Sequence, residues 1–312
     1  MRTPFDALRG SALDRLTGPT RARAEKSATI RSARARFIAG PRVEDAVEAA
    51  ADLRRTDRLA ILHPLLPPPQ DASQVATLVA ACRRALREMD AQGLAADHGS
   101  DLLVTPDHLG LPLGREVAQT SLLALTSVAE AWGGRITLGE GRLDQVQEVL
   151  DLADEVRPMY PQTGVTLVAR RHRSDADAAA LAEKGARVRL VRGGPNEPRT
   201  EAWSDRHEAD LAWTRCLATL LAAPGETALV THDPQLLEVA DALIYHHGLG
   251  PEQVEQQMYY GVQPAQQMRL ADAGHRVRVL IPYGPDWYDY LAQLAGRPST
   301  PIGFWRVLSG RG

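Results

Sequence analysis

Short apolar runs recur along this chain, separated by longer stretches of helical periodicity. The runs are Arg58–His63 (RLAILH), Asp101–Thr105 (DLLVT), Arg135–Leu138 (RITL), Gly164–Ala169 (GVTLVA), Ala186–Val191, Thr227–Thr231 (TALVT), Val254–Met258 and Arg276–Ile281 (RVRVLI). They are rich in Val, Leu and Ile, as strands buried on both faces are. Between them, Ser73–Gly93, Gly114–Trp132, Leu143–Val156, Asp175–Lys184, Trp203–Ala222, Pro234–His246 and Pro264–Ala273 carry apolar residues at helical spacing. Trp287–Ala295 closes the series as a final helix. Strands alternating with helices predict parallel βαβ units, and eight such units close into a (βα)₈ barrel. A doubly wound open sheet is the second architecture. No GxGxxG follows a strand, which weighs against its dinucleotide-binding form.

Ahead of the first strand, Met1 to Arg42 is basic and Ala-rich, with Ala33, Phe37 and Ile38 as a short apolar stripe. Val43–Arg54 (VEDAVEAAADLR) has acidic residues in its first turn and reads as a better helix. The expected organisation is a helical extension over residues 1–54, then a barrel domain with a C-terminal helix over 55–312.

Composition narrows the class. The chain has 312 residues, 44% hydrophobic and 24% charged, as soluble globular proteins do. Its net charge of −3 gives no global basic field for nucleic acid. No apolar run reaches membrane-spanning length, and the N-terminus lacks the apolar core of a signal peptide. Cys82 and Cys216 form neither a CxxC pair nor a metal-ligand spacing, which suits a reducing cytoplasm.

In a (βα)₈ barrel the chemistry lies at the C-terminal ends of the strands. The fifth strand and its loop, Arg187–Pro198 (RVRLVRGGPNEP), set arginines 187, 189 and 192 in an otherwise apolar run. A buried guanidinium is costly without a partner, so these arginines point to an anion or a polarised ring. Gly193 and Gly194 would let such a ligand approach the backbone. The plain alternative is a βα loop with two solvated arginines. Further arginines and His172 follow strand 4, giving a rim that suits a phosphate-bearing ligand. After strand 6, Thr231-His232-Asp233 offers a hydroxyl, an imidazole and a carboxylate. Asp233 reads as the N-cap before Pro234, and His232 as a ligand contact. His63, Asp107, His108 and Glu140 imitate a barrel metal site with loose spacing, and no metal is assigned.

These motifs, taken together, resemble monofunctional bacterial proline dehydrogenase from Arg36 to about Arg297. RFIAGPRVEDAVEAAADL is similar to that family's lead-in to strand 1, and HLGLPL (108–113) to its segment after strand 2. RLVRGGPNEP resembles its strand 5 signature RLVKGAYxEP. VTHDP (230–234) matches strand 6, QQMYYGV (256–262) resembles FQFLYGV on strand 7, and VLIPYGPDWYDYL (279–291) matches strand 8 and the last helix. The resemblance implies a distorted (βα)₈ barrel holding FAD. It implies that Arg189 stands beside the flavin, with Arg192, Gly193 and Gly194 as the backbone segment against it. Thr231 and His232 would contact the FAD phosphates and adenosine. Arg173 and Gln257 would also serve the cofactor, and Tyr283 would line the proline pocket.

Other positions depart from the family pattern. Its strand 2 lysine falls on Thr105, its strand 3 aspartate on Gly139 and its strand 4 glutamine on Val168. Its Arg-Arg carboxylate clamp on the last helix is absent, with Ala292 and Gln293 near those positions, and Arg297 and Arg306 lie beyond. Lys26 and Lys184 are the only lysines, and neither ends a strand.

Three functions are therefore in play. The first is a FAD-dependent dehydrogenase that oxidises L-proline or a related amino or imino acid in proline catabolism. It would pass electrons to a quinone, in the cytoplasm or at the inner face of the membrane, with no integral membrane segment and no nucleic-acid partner. The second is a divergent paralogue that keeps the barrel, as a pseudoenzyme or a flavin- or ligand-binding protein. The third is a metal hydrolase using His63, Asp107 and His108.

Overall fold

A computed structural model describes residues 25–95, 99–193 and 197–296. Eight parallel strands close on themselves in sequence order, β1 hydrogen-bonded to β8. They are β1 (Leu59–Pro64), β2 (Ser100–Val104), β3 (Arg135–Leu138), β4 (Thr163–Val168), β5 (Arg187–Val191), β6 (Thr227–Val230), β7 (Glu255–Tyr259) and β8 (Arg276–Tyr283). The expected (βα)₈ barrel is thus the fold. The open-sheet alternative fails because β1 and β8 pair from Leu59↔Arg278 to Pro64↔Tyr283. That pairing carries β8 two residues past its expected end at Ile281.

Ten helices accompany the strands among the described residues. They are α1 (Ala28–Phe37), α2 (Val43–Arg54), α3 (Ala72–Ala91), α4 (Arg115–Ala131), α5 (Val146–Val156), α6 (Ser174–Glu183), α7 (Arg206–Leu221), α8 (Pro234–His246), α9 (Pro264–Asp272) and α10 (Trp287–Gly296). Side-chain caps start several of them: Asp71 accepts from the Gln74 amide and Asp205 from the Glu208 amide. Helices α3 to α9 follow strands β1 to β7. Helix α2 packs against β8, β1 and α3, and so completes the shell from the N-terminal side. Its Ala46, Val47, Ala50 and Leu53 belong to the same buried cluster as Leu62, Val279 and Ile281. The segment expected as an extension therefore supplies one wall of the barrel. The eighth strand's own helix, α10, is left to pack on α1, with Phe37, Leu65, Val262, Trp287, Tyr288 and Leu291 as a second cluster.

Strand alternation sorts side chains to the two faces. Leu102, Val104, Val165, Leu167, Val188, Leu190, Val277, Val279 and Ile281 face the helices. The inward face is split by height. Its upper part is apolar, with Ile61, Leu103 and Leu280 in one group and Val168, Val191 and Val230 in another; Tyr259 touches both. Its lower part is charged. Arg187 donates to Asp101 at 2.9 Å, to the Ile136 carbonyl at 2.7 Å and to Thr137 at 2.9 Å. Thr137 donates in turn to Asp101 at 2.8 Å. Arg278, fully buried, donates to Glu255 at 2.8 Å and to the Ala60 and Gly99 carbonyls. At Gly164 an added Cβ would lie 2.7 Å from the Arg187 guanidinium carbon, so glycine there makes room for this layer.

Removing one partner of such a pair leaves a buried charge unmatched, at a cost of about 3–5 kcal/mol, while replacing both with apolar groups is far milder. Asp101→Leu should therefore lower stability by about that amount, and adding Arg187→Met should recover most of it. Urea unfolding of the two variants checks this; equal losses in both would show that the pair does not act as a unit.

Candidate functional site

The strand ends place the sequence-predicted residues very differently. Arg189 faces the barrel interior from β5, between Thr166 of β4 and Ala228 of β6. It is 6% exposed, and its Nε donates to the Gln257 side-chain oxygen at 2.8 Å. Among the described residues nothing accepts from its two terminal amino groups, and no carboxylate pairs with it. The Thr166 hydroxyl on the neighbouring strand is also buried without a partner. A buried guanidinium with spare donors beside a spare hydroxyl is an arrangement for an electron-rich ligand.

Arg187, by contrast, is consumed by Asp101 below, so two arginines of one strand have opposite fates. The remaining rim arginines are mostly neutralised within the protein. Arg192 donates to Asp210 at 2.8 Å and to Asp233 at 3.1 Å. Arg171 pairs with Glu197 at 2.5 Å, both buried. Arg173, expected to serve the cofactor, is clasped by Asp177 one turn along α6 at 2.7 Å and by Gln147 of α5. The i,i+4 spacing of Arg173 and Asp177 explains that choice. Arg170 spends its guanidinium on the Trp203 carbonyl. Gly193 lies against this side chain, where an added Cβ would meet Arg170 Cδ at 3.3 Å. Gly194, Gln293 as a side chain, Arg297 and Arg306 lie outside the described residues.

The Thr231-His232-Asp233 turn is built as a unit. Asp233 caps α8 by accepting from the Gln235 amide at 3.1 Å, as expected from Pro234 at the next position. Burial alone would raise the Asp233 carboxyl, but the Gln235 amide and Arg192 outweigh it and hold it below the ordinary carboxylate range. The Thr231 hydroxyl accepts from the Asp233 amide. His232 stacks on Tyr259, ring centres 5.1 Å apart and 18° from parallel. Its Nε2 accepts from the Tyr259 backbone amide at 2.9 Å. Desolvation pushes the imidazole down to about 3, so the ring is neutral with its proton on Nδ1.

Tyr283 does not line the interior. Alternation from the inward Arg278 sends Leu280 to the axis and Tyr283 outward, into the cluster shared by Ala46, Cys82 and Ile281. Burial there raises its hydroxyl pKa. The residue that faces the interior from the middle of β8 is Leu280. Arg278 was the available signal: a charge in an apolar strand fixes its parity once a partner is sought inside.

The strands 1 to 3 side of the mouth carries Asp107, Glu140 and Arg142, in the loops that follow β2 and β3. Helix α10 reaches over it, with Tyr290 edge-on to His63 at 5.6 Å. Thr105 accepts from the His108 amide, and Gly139 follows β3 beside it. His108 bonds the Leu66 carbonyl at 2.8 Å, and burial lowers its pKa. Asp107 is held by Arg142 and Gln145. Among the described residues no three acidic, histidine or cysteine side chains gather as a metal site. No described helix is long and apolar enough to cross a membrane.

No protein-family model matches the sequence. Curated relatives do. Proline dehydrogenase 1 of Bacillus subtilis is 29% identical over 271 residues, covering 85% of this chain and 87% of that protein. Proline dehydrogenase of Deinococcus radiodurans is 29% identical over 265 residues, covering 83% and 84%. Among solved structures, proline utilization A from Bdellovibrio bacteriovorus, inactivated by N-propargylglycine, superposes with a TM-score of 0.80 at 15% identity, over 89% of this chain. Proline utilization A from Corynebacterium freiburgense gives 0.69 at 13% identity. The chain spans about a third of the length of these solved proteins, 34% and 35% respectively. It resembles bacterial proline dehydrogenases over most of its length, and the structural likeness supports the barrel.

At pH 6 the His232 ring should remain neutral, with Nε2 unprotonated. Because its folded pKa lies below the ordinary 6.5, the unfolded chain takes up a proton first, and stability falls as pH drops from 6.5 towards 3. Ring ¹⁵N shifts check this; a doubly protonated His232 at pH 6 would contradict the contact with Tyr259.

Proposed function

We propose that this chain is a FAD-dependent dehydrogenase that oxidises L-proline or a related amino or imino acid. The observation that carries the reading is Arg189, a buried guanidinium with both terminal amino groups unspent, on the strand where the resemblance sets a flavin-side arginine. The likeness in sequence to proline dehydrogenases supports the same reaction.

The donor set fits the cofactor. When bound, FAD accepts a hydride and supplies the redox chemistry. Arg189 would stabilise negative charge that develops on the reduced ring, and its low-dielectric setting strengthens that effect. The Thr166 hydroxyl offers one further donor. Thr231, His232 through Nδ1–H, and the backbone at Gly193 would hold the rest of the molecule. The stacked Tyr259 and the valines at 168, 191 and 230 give the upper interior an apolar lining, which would help keep water from a bound flavin. Electrons would leave to a quinone, placing the protein in the cytoplasm or at the inner face of the membrane.

A second reading draws on the opposite side of the mouth. Thr105 and Gly139 provide a hydroxyl and no side chain where the resemblance expects a lysine and an aspartate. Ala292 stands near one of the missing arginines, buried in α10. A paralogue that binds flavin but acts on a substrate other than proline fits that half of the site.

One experiment separates the two. The purified protein should show a flavin spectrum, which excess proline added anaerobically should bleach. Flavin that proline leaves unchanged favours the paralogue, and absence of flavin after reconstitution with FAD refutes both. Arg189→Met should slow flavin reduction by about a hundredfold while leaving the barrel folded by circular dichroism.

A further inference from the structure

Among the described residues no carboxylate touches buried Arg189 or buried Arg58, but Thr56 and Gln267 occupy the Arg58 guanidinium, whereas Arg189 has a partner at Nε alone. The nearest carboxylate in its hydrogen-bond chain is one amide away. Gln257, 1% exposed, accepts from Arg189 Nε at 2.8 Å through Oε1 and donates through Nε2 to Glu255 at 2.7 Å. Glu255 is itself fixed from below by Arg278 at 2.8 Å and flanked by Arg276 at 3.4 Å. Its carboxyl is held down to about 2: burial would raise it, but Arg278 outweighs burial.

An ionised carboxylate only accepts, and a guanidinium only donates. The Gln257 amide between them therefore has one permitted orientation, NH₂ toward Glu255 and oxygen toward Arg189. Turned over, it would set oxygen against oxygen and N–H against N–H. The Arg189 side chain is thus pinned at Nε without being neutralised, and both terminal amino groups are left over.

We infer that Glu255 and Gln257 are positioning residues, which hold the Arg189 guanidinium by its Nε so that its terminal amino groups are reserved for a ligand in the barrel. The inference rests on the flavin reading for the identity of that ligand, while the positioning itself does not depend on it. A direct Arg189–carboxylate pair would have filled the donors and cancelled the charge; the interposed amide does neither.

Gln257→Met keeps the size and removes both hydrogen bonds, and Glu255→Gln frees the amide to turn. In ¹⁵N spectra, the Arg189 Nε–H signal, assigned by its loss in Arg189→Lys, should exchange slowly in the parent protein and at least about tenfold faster in Gln257→Met. FAD affinity, read by fluorescence quenching, should weaken by about tenfold in the same variant, and the flavin midpoint potential should shift. A purely structural role would lower the melting temperature and move neither readout. Should Glu255→Gln fail to fold, because Arg278 loses its partner, Gln257→Met alone decides. An Nε–H signal that Gln257→Met leaves unchanged overturns the inference, as does unchanged FAD affinity in a parent protein that binds FAD. A changed signal in a protein that binds no FAD supports the positioning and refutes the flavin reading instead.

Discussion

The barrel is built around buried charge that has to be matched. Asp101, Arg187, Glu255 and Arg278 sit inside the lower half of the sheet, where an unmatched ion is costly. Each is matched from another strand: Arg187 on β5 by Asp101 on β2, and Arg278 on β8 by Glu255 on the preceding β7 and by the distant carbonyls of Ala60 and Gly99. An apolar filling would tolerate a shift of register; this one does not. A one-residue slip would turn these groups outward and leave their partners alone. The charged floor thereby fixes which side chains of β5 and β7 face the axis, and so fixes Arg189, Gln257 and Tyr259 above it.

The upper half of the interior depends on that floor in a second way. Arg187 and Arg189 are two residues apart on one strand and both face inward. The first has four partners and is inert; the second has one, through Nε. The difference lies in what the neighbouring strands present at each height. Asp101 and Thr137 meet Arg187, whereas Thr166, Ala228 and Gln257 surround Arg189. A reactive centre requires such a change from matched to unmatched polarity over a short distance, because donors left unspent inside the barrel are what recognise developing charge.

Much of this architecture was legible in the sequence. Eight apolar runs separated by helical periods are the signature of the barrel, and all eight strands begin and end within two residues of the runs. The Asp233–Pro234 cap was legible for the same reason, since a short local motif carries its own geometry. The fates of the arginines were not. Arg173 goes to Asp177, Arg192 to Asp210 and Asp233, and Arg171 to Glu197, so a rim that reads as strongly cationic is largely neutral once folded. Only tertiary distance decides which carboxylate reaches which guanidinium. Tyr283 was misplaced by a subtler cause. Proximity to a strand's C-terminal end does not set its face, and counting from the buried Arg278 sends it among the helices. Thr166 and Glu255 gave no signal of their own, because a threonine or glutamate in a short strand acquires meaning only from the neighbouring strand.

The two sides of the mouth thus carry different information about chemistry. On strands 4 to 7 the polar groups are arranged in depth, from Arg278 through Glu255 and Gln257 to Arg189, with His232 and Tyr259 stacked above. That depth of support is expensive to build, since each buried polar group must be satisfied by the next. On strands 1 to 3 the polar network stops lower down: Thr105 stands over the apolar Leu103, and Thr137 below Gly139 is tied to Asp101 and Arg187. A protein that had abandoned its ligand altogether would have no use for an unneutralised buried arginine, which lowers stability without return unless something binds it. The supported side, on strands 4 to 7, is therefore the one built to meet charge on a ligand.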